Sequence, residues 1–318
     1  MRNMTQADSD TSAFSTKMAR ESFGPGVKNF LATGIATGTV ARTPIQIYTL
    51  GRFSVAVDGL PMYSNGKAQQ RPFALLKALI ARGGHDVSCS LLWECLWPDS
   101  DGDLGARNLT ITLHRLRHLL RTNAAVLHHD GKLSLNEQLC WLDVWHFERM
   151  VSDGLYLMAQ PSGTKSWEAP LRAALDLYTG HFLSLEAEES WMIEPRIRWK
   201  TKFERLVSGL SMHLEHQTRF ADAIDICLHA LELDPLNELL YRRLMSCYLK
   251  RGEFAGVLGT YLRCREALAK GLAAPVSSET EHLYLEALRA VDQGIAQAVR
   301  LSPGLVVRSQ SVQKQALA

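Results

Sequence analysis

The chain has 318 residues, 46% of them apolar and 21% charged, with a formal net charge of +2. That length and apolar content predict about two domains and at least one sizeable core. The small net charge excludes a uniformly basic, histone-like binder, so any surface for a polyanion has to be local.

The first 43 residues open on "MRNMTQADSDTSAFSTKMARESFGPG", which is polar and lacks a secretory apolar region. They are expected to form a disordered tail. The stretches "IQIYTLGRF" and "SVAVDG" are rich in β-branched and aromatic residues and end at Asp58-Gly59, so they read as two strands and a turn. "LPMYSNGK" offers a third strand, with Asn65-Gly66 as the next turn. "RPFALLKALIARGG" reads as a helix with Pro72 in its first turn, Phe73, Leu76, Leu79 and Ile80 on one face, and Gly83-Gly84 as its end. A short extended piece, "HDVSC", leads to "SLLWECLWP", a two-turn helix stopped by Pro98. A longer helix, "GARNLTITLHRLRHLLR", follows. "AVLHHDGKLSLN" is then two short strands around Asp130-Gly131, and "LCWLD" is one more strand before "VWHFERMV". Strands, helix, short strand, helix, longer helix and hairpin make the winged form of helix-turn-helix, resting on a small leading sheet.

The longer helix concentrates the chemistry. On a wheel at about 100° per residue, Leu109, Leu113, Leu116 and Leu120 form one apolar stripe. The far side carries Arg107, Ile111, His114, Arg115 and His118, flanked by Asn108, Thr112 and Arg121. From Gly105 to Arg121 there is no acid, while Asp99, Asp101 and Asp103 sit just before, where they complement the helix dipole. An isolated helix with such a face is often only solvated. Placed after a short helix and before a hairpin with His128, His129 and Lys132 near its tip, it reads as a helix built to lie in DNA. Its donors reach phosphates and purine edges, its one apolar side chain meets a thymine methyl, and the hairpin lies over the backbone or minor groove.

From about Trp167 the chain reads as helical throughout, with an internal repeat. "RFADAIDICLHALELD" aligns with "EFAGVLGTYLRCREALA" at an offset of 34, pairing Phe220 with Phe254, Ala223 with Val257, Cys227 with Tyr261 and Ala230 with Cys264. Leu210 with Leu244 and Leu214 with Tyr248 keep the same offset, and Pro235 follows the second helix of the first unit. Large residues facing small ones at this period are the tetratricopeptide pattern. Such pairs stack into a groove for protein partners, with Arg242 and Arg243 as candidate contacts and Tyr178, Trp191 and Trp199 as core.

The chain-wide reading is therefore an α+β N-terminal winged helix-turn-helix with a leading small β-sheet, followed by an all-α tetratricopeptide-like helical repeat domain. The boundaries fall at a tail of 1–43, a winged-helix domain of 44–145, a repeat domain of 146–292 and a flexible C-terminal tail of 293–318. The six cysteines include no CxxC pair, and His128, His129 and Cys140 are spaced too irregularly for a metal, so neither metal nor disulfide framework is expected. No apolar run is long enough to cross a membrane. "SGTKS" at 162–166 lacks the leading glycine of a phosphate loop, and His146 with Glu148 or His213 with His216 are spaced as helix-surface residues, so neither enzyme nor cofactor is expected. The competing class is an adaptor, in which the winged helix docks protein and the repeats bind a peptide.

The motifs together resemble a known family. "LGRFSVAVDG", "RPFALLKALIARGGHDVS", "LLWECLWPD", "ARNLTITLHRLRHLL" and "LHHDGKLSLN" with "LCWLDVWHFE" resemble the OmpR-type winged helix as used by Streptomyces antibiotic regulatory proteins. "ALDLYTGHFLS", Trp191, Arg196, "LELDPLNELLYRRLMSCYLKRGEF" and "YLRCREALA" resemble that family's bacterial transcriptional activation domain. The likeness runs from about Ile45 to Val291. It implies a cytoplasmic bacterial regulator, usually an activator, whose winged helix binds direct repeats in double-stranded DNA. Its helical domain would contact RNA polymerase or a second copy of the chain. The helix before the wing is then the recognition helix, with Asn108, Ile111, Thr112, Arg115 and His118 at the family's base- and phosphate-facing positions. The chain shows no receiver domain and no ATPase module, which some larger members carry, and the signal that would act on it is not assigned.

Overall fold

The computed structural model describes residues 43–62, 67–160 and 167–301. The tail up to residue 42, the turn expected at Asn65-Gly66 and the "SGTKS" stretch lie outside the described residues. The chain divides into two compact units, the first ending at Leu206 and the second beginning at Val207.

The first unit opens on strands β1 (Ile45–Tyr48), β2 (Ser54–Val57) and β3 (Leu60–Met62). β1 and β2 pair antiparallel with Ile47 opposite Val55, β2 and β3 pair antiparallel, and β7 (Cys140–Leu142) adds to the other edge of β1 in parallel, giving the order β3-β2-β1-β7. Asp58 and Gly59 make the β2–β3 turn with φ of 51° and 77°, the left-handed pair a two-residue hairpin requires. Ile45, Ile47, Val55 and Leu142 are buried.

Helix α1 (Lys67–Ala81) begins before Pro72, so the proline lies inside it rather than in its first turn. Without an N–H, Pro72 leaves one early carbonyl without its helical donor. The other end is as expected. Gly83 at φ 104° lets Gly84 N–H reach Leu79 O and Gly83 N–H reach Ile80 O, a Schellman closure. After β4 (Val87–Ser88) come α2 (Cys89–Leu96), α3 (Gly102–Leu119), a 3₁₀ turn at Asn123–Ala125, β5 (Val126–His129) and β6 (Lys132–Leu135). β4, β6 and β5 form a second antiparallel sheet in that order. The winged helix and its leading sheet are thus both present.

Helices α4 (Asp143–Ala159) and α5 (Glu168–Leu177) complete this unit together with the start of α6 (Ile193–His216). Between α5 and α6 the chain is not helical throughout, contrary to the sequence expectation. Only a 3₁₀ turn occurs there, at Ser190–Met192. Phe182 bridges Leu50, Gly51 N–H donates to His181 O at 3.0 Å, and Leu183 N–H donates to Thr49 O at 2.8 Å. Gly180 permits this crossing, because a Cβ there would come within 3.1 Å of Gly51 Cα. The end of β1 is thus the hub of the unit. Asp143, buried at the start of α4, holds it from the other side. Its carboxylate accepts from Thr49 N at 2.5 Å, Leu50 N at 2.7 Å, Thr49 Oγ1 at 2.7 Å and Val144 N at 2.7 Å. Burial pushes the Asp143 pKa up to about 6 against the pull of these four donors. Tyr178 and Trp199 are core, with Tyr178 stacked on Phe203 at 4.0 Å and Trp199 edge-on to Phe147; Trp191 is buried as well.

The second unit holds the end of α6 and helices α7 (Phe220–Leu233), α8 (Glu238–Arg251), α9 (Phe254–Leu272) and α10 (Ser278–Leu301). α7 and α9 start at the two phenylalanines aligned in the sequence, and Ala223, Cys227, Ala230, Val257 and Cys264 are all buried. Tyr261 stacks on Tyr284 at 4.1 Å and donates to Glu281 Oε2 at 2.6 Å, tying α9 to α10. α10 runs on past the boundary drawn at residue 292, since no proline or glycine pair interrupts its apolar spacing before Pro303. These are tetratricopeptide-like helix pairs.

Candidate nucleic-acid interface

The site is built on α3. Ser88 caps α2, whose Leu92 and Leu96 are buried, and the chain then turns through Trp97-Pro98. Asp101 caps α3, its Oδ1 accepting from Leu104 N at 2.8 Å, and Asp103 lies in the first turn beside the positive end of the helix dipole. The helix therefore starts at Gly102. Gly105 is where α2 comes closest: a Cβ there would meet the Trp93 ring at 2.6 Å.

The leucine stripe packs inward, with Leu109, Leu113, Leu116 and Leu120 between 0% and 5% exposed. Arg107, His114, Arg115 and His118 are exposed, as is Ile111 at 44%, and Asn108 is half-buried. Thr112 departs from the sequence reading, being buried at 5%. On the wheel it lies about 20° from Gly105, on the side that α2 covers, so the polar side chain is not on the outward face.

Arg121 lies beyond the helix in a left-handed conformation, φ 56°, with an exposed side chain 3.8 Å from Asp58. In the wing, Asp130 and Gly131, at φ 47° and 69°, form the turn, and His129 is paired with Lys132 beside it. His128, His129 and Lys132 are all exposed; His128 Nε2 is 3.7 Å from Cys89 Sγ and His129 Nε2 is 3.1 Å from Asp130. Arg117, which the sequence did not single out among the four arginines of the stretch, positions the wing. Its Nε and Nη2 both donate to Val126 O, at 3.0 Å and 2.6 Å. No local pattern announces this contact, because its acceptor lies beyond the intervening turn.

In the second unit Arg242 does not stand free. It donates to Ser277 Oγ at 3.1 Å and lies 3.8 Å from Glu238, whose Oε1 also accepts from Ser277 and from buried Thr280. This network caps α10 and holds the Glu238 carboxyl below its usual range against the opposing effect of burial. Arg243 is half-buried. Among the described residues no group of three or more His, Cys, Asp or Glu is placed to hold a metal, and no helix is long and apolar enough to cross a membrane.

Fold and surface define the class: a winged-helix protein joined to tetratricopeptide-like helices. Residues 142–288 match the family model of the bacterial transcriptional activator domain. The chain carries that domain behind its winged helix, the domain pair of the regulators of the Streptomyces antibiotic regulatory protein type that its sequence resembles. Among solved structures it is similar to Mycobacterium tuberculosis EmbR in complex with a low affinity phosphopeptide, with 19% identity, a TM-score of 0.58, and 82% of this chain and 71% of that chain covered. That likeness is one of fold. The yeast Sti1 TPR2B domain, in a pHsp70 complex, matches more loosely, with 21% identity, a TM-score of 0.29, and 46% of this chain and 98% of that chain covered. No match was found among curated proteins. The family evidence points to a transcriptional regulator rather than an enzyme.

Proposed function

We propose that this protein is a sequence-specific DNA-binding transcriptional activator of the bacterial cytoplasm, reading the major groove with the outward face of α3 and the turn that follows it, residues 104–121. The observation that carries the reading is the division of α3. Leu109, Leu113 and Leu116 are buried, while Arg107, Ile111, His114, Arg115 and His118 stay exposed with no carboxylate after Asp103. Arg115 and Asn108 read base edges, and Ile111 meets a thymine methyl. Arg107, Arg121 and Lys132 neutralise phosphates and set register, with His114 and His118 along the same face. His128 and His129 place the wing against the backbone or the minor groove. Thr112 is left out because it is buried.

The activator domain supports a role in transcription beyond DNA occupancy, through RNA polymerase or a second copy of the chain. Arg243 is the better of the two arginine candidates for such a contact, since Arg242 is engaged within the unit. Selection of bound fragments from the host genome, followed by footprinting, tests the reading. The expected result is protection of direct repeats upstream of coding regions. Failure to bind any duplex at low salt would overturn it and leave the adaptor, in which the winged helix docks protein.

A further inference from the structure

Cys89 and Cys95 are partly exposed, while Cys140, Cys227, Cys247 and Cys264 are buried. Cys89 is the first residue of α2, and its Sγ lies 3.7 Å from His128 Nε2 on β5 of the wing. We propose that Cys89 is a modification site, a thiol that forms a mixed disulfide with a small-molecule disulfide while His128 takes its proton. The reaction needs no DNA, and only its effect on duplex binding rests on the proposed function.

The wing backbone holds the two groups together. Cys89 N–H donates to Gly131 O at 2.9 Å, Ser88 pairs with Lys132 on β6, and His128 pairs with Leu133 on the same strand. A side chain at the start of a helix meets free N–H groups and the positive end of the dipole, which favour a thiolate. Burial of the sulfur works against them and pushes the Cys89 thiol up. The anion is therefore not held in advance, and the proton has to leave as the sulfur attacks. With its own proton on Nδ1, His128 offers Nε2 as the acceptor. Cys89 Sγ attacks one sulfur of the disulfide as Nε2 takes the S–H proton. The old S–S bond breaks, and the departing sulfur leaves as a thiol with that proton. Cys89 is oxidised and the leaving sulfur reduced, so the disulfide is the only co-reactant. Cys95 is set differently: its Sγ faces the Arg82 guanidinium at 3.6 Å, which stabilises a thiolate but cannot take a proton. The adduct on Cys89 occupies the gap between the first turn of α2 and β5, and displaces the His128 side chain that the wing would bring to a duplex.

Full-length protein is incubated with oxidised glutathione, quenched in acid at intervals, and the adduct on each cysteine is followed by peptide mass. Cys89 takes the glutathionyl group in the parent. His128→Gln keeps a hydrogen-bonding side chain but no base, and slows Cys89 by about tenfold or more while Cys95 keeps its parental rate. His128→Ala separates chemistry from structure: free imidazole in solution restores part of its lost rate at Cys89 and leaves Cys95 unchanged. An unmodified Cys89 in the parent, a Cys89 rate that His128→Gln does not alter, or a His128→Ala protein that imidazole fails to rescue would overturn the proposal. The effect on DNA is read separately. The glutathionylated parent binds a selected duplex about fivefold more weakly than the unmodified parent, the loss of about one contact, and glutathione-treated Cys89→Ser shows no such loss. A parent that forms the adduct but binds no duplex upholds the thiol chemistry and refutes the DNA-reading function alone.

Discussion

Asp143→Ala should strongly destabilise the first unit, because it empties the start of α4 of the carboxylate that holds the end of β1. The carboxylate takes four hydrogen bonds, three of them from backbone N–H groups at Thr49, Leu50 and Val144, all residues no more than 2% exposed. Alanine leaves those donors without an acceptor, at about 1–3 kcal/mol each, partly offset by the relief of a buried charge. The net loss is about 3–5 kcal/mol, a large share of the stability of an ordinary domain. Asp143→Asn is the graded control. Its remaining oxygen can serve Thr49 N and Leu50 N while its amide donates to the Thr49 hydroxyl, so only Val144 N–H is orphaned and the loss falls to about 1–3 kcal/mol. Urea denaturation followed by tryptophan fluorescence isolates the effect, because all seven tryptophans precede Val207 and report on the first unit alone. A loss below about 1 kcal/mol for Asp143→Ala would refute the reasoning that this carboxylate holds the hub together.

The same carboxyl makes stability depend on pH. Its folded pKa, pushed up to about 6 by burial, exceeds the unfolded value near 3.9, so the ionised form is disfavoured in the fold. From pH 7 to pH 5 the parent should therefore gain about 1 kcal/mol relative to Asp143→Asn, and a relative loss over that range would contradict the assignment. Arg117→Ala strips the buried Val126 carbonyl of two donors. It should speed amide exchange in β5 and β6 while leaving α7 to α10 unchanged, and unaltered wing protection would show the guanidinium to be dispensable. Lys132→Ala should weaken binding to all duplexes alike and lower the salt slope by about one unit, and a sequence-dependent loss would mean that Lys132 reads bases.

What the sequence made legible was periodic or local. Leu109, Leu113, Leu116 and Leu120 announce a buried stripe by spacing alone, and Asp58-Gly59 and Asp130-Gly131 announce hairpins by their backbone freedom. The repeat at 34 was visible because each helix pair buries its own small residues, such as Ala223 and Ala230. What escaped depends on contacts distant in the chain. Asp143 read as the end of a strand, since its partner Thr49 lies 94 residues away. Thr112 sat at the edge of the stripe, where the wheel alone cannot say that it is buried. Residues 178–192 read as helix because nothing local shows that Phe182 bridges Leu50. Arg242 passed for a surface cation until Ser277, 35 residues on, took its hydrogen bond. The outward face of α3 was found from the sequence because exposure on a helix is periodic, whereas the approach of His128 to Cys89 spans 39 residues.

The central claim, that α3 reads bases with its outward face, is tested most directly by measuring Arg115→Ala against a selected site, single-base variants of that site and random duplex at one fixed salt concentration. Loss of about 1–3 kcal/mol on the selected site, with preference flattened at one base position and random duplex little changed, is the predicted result. Equal weakening on every duplex would reduce Arg115 to a phosphate contact, and no weakening on any would remove α3 from the groove.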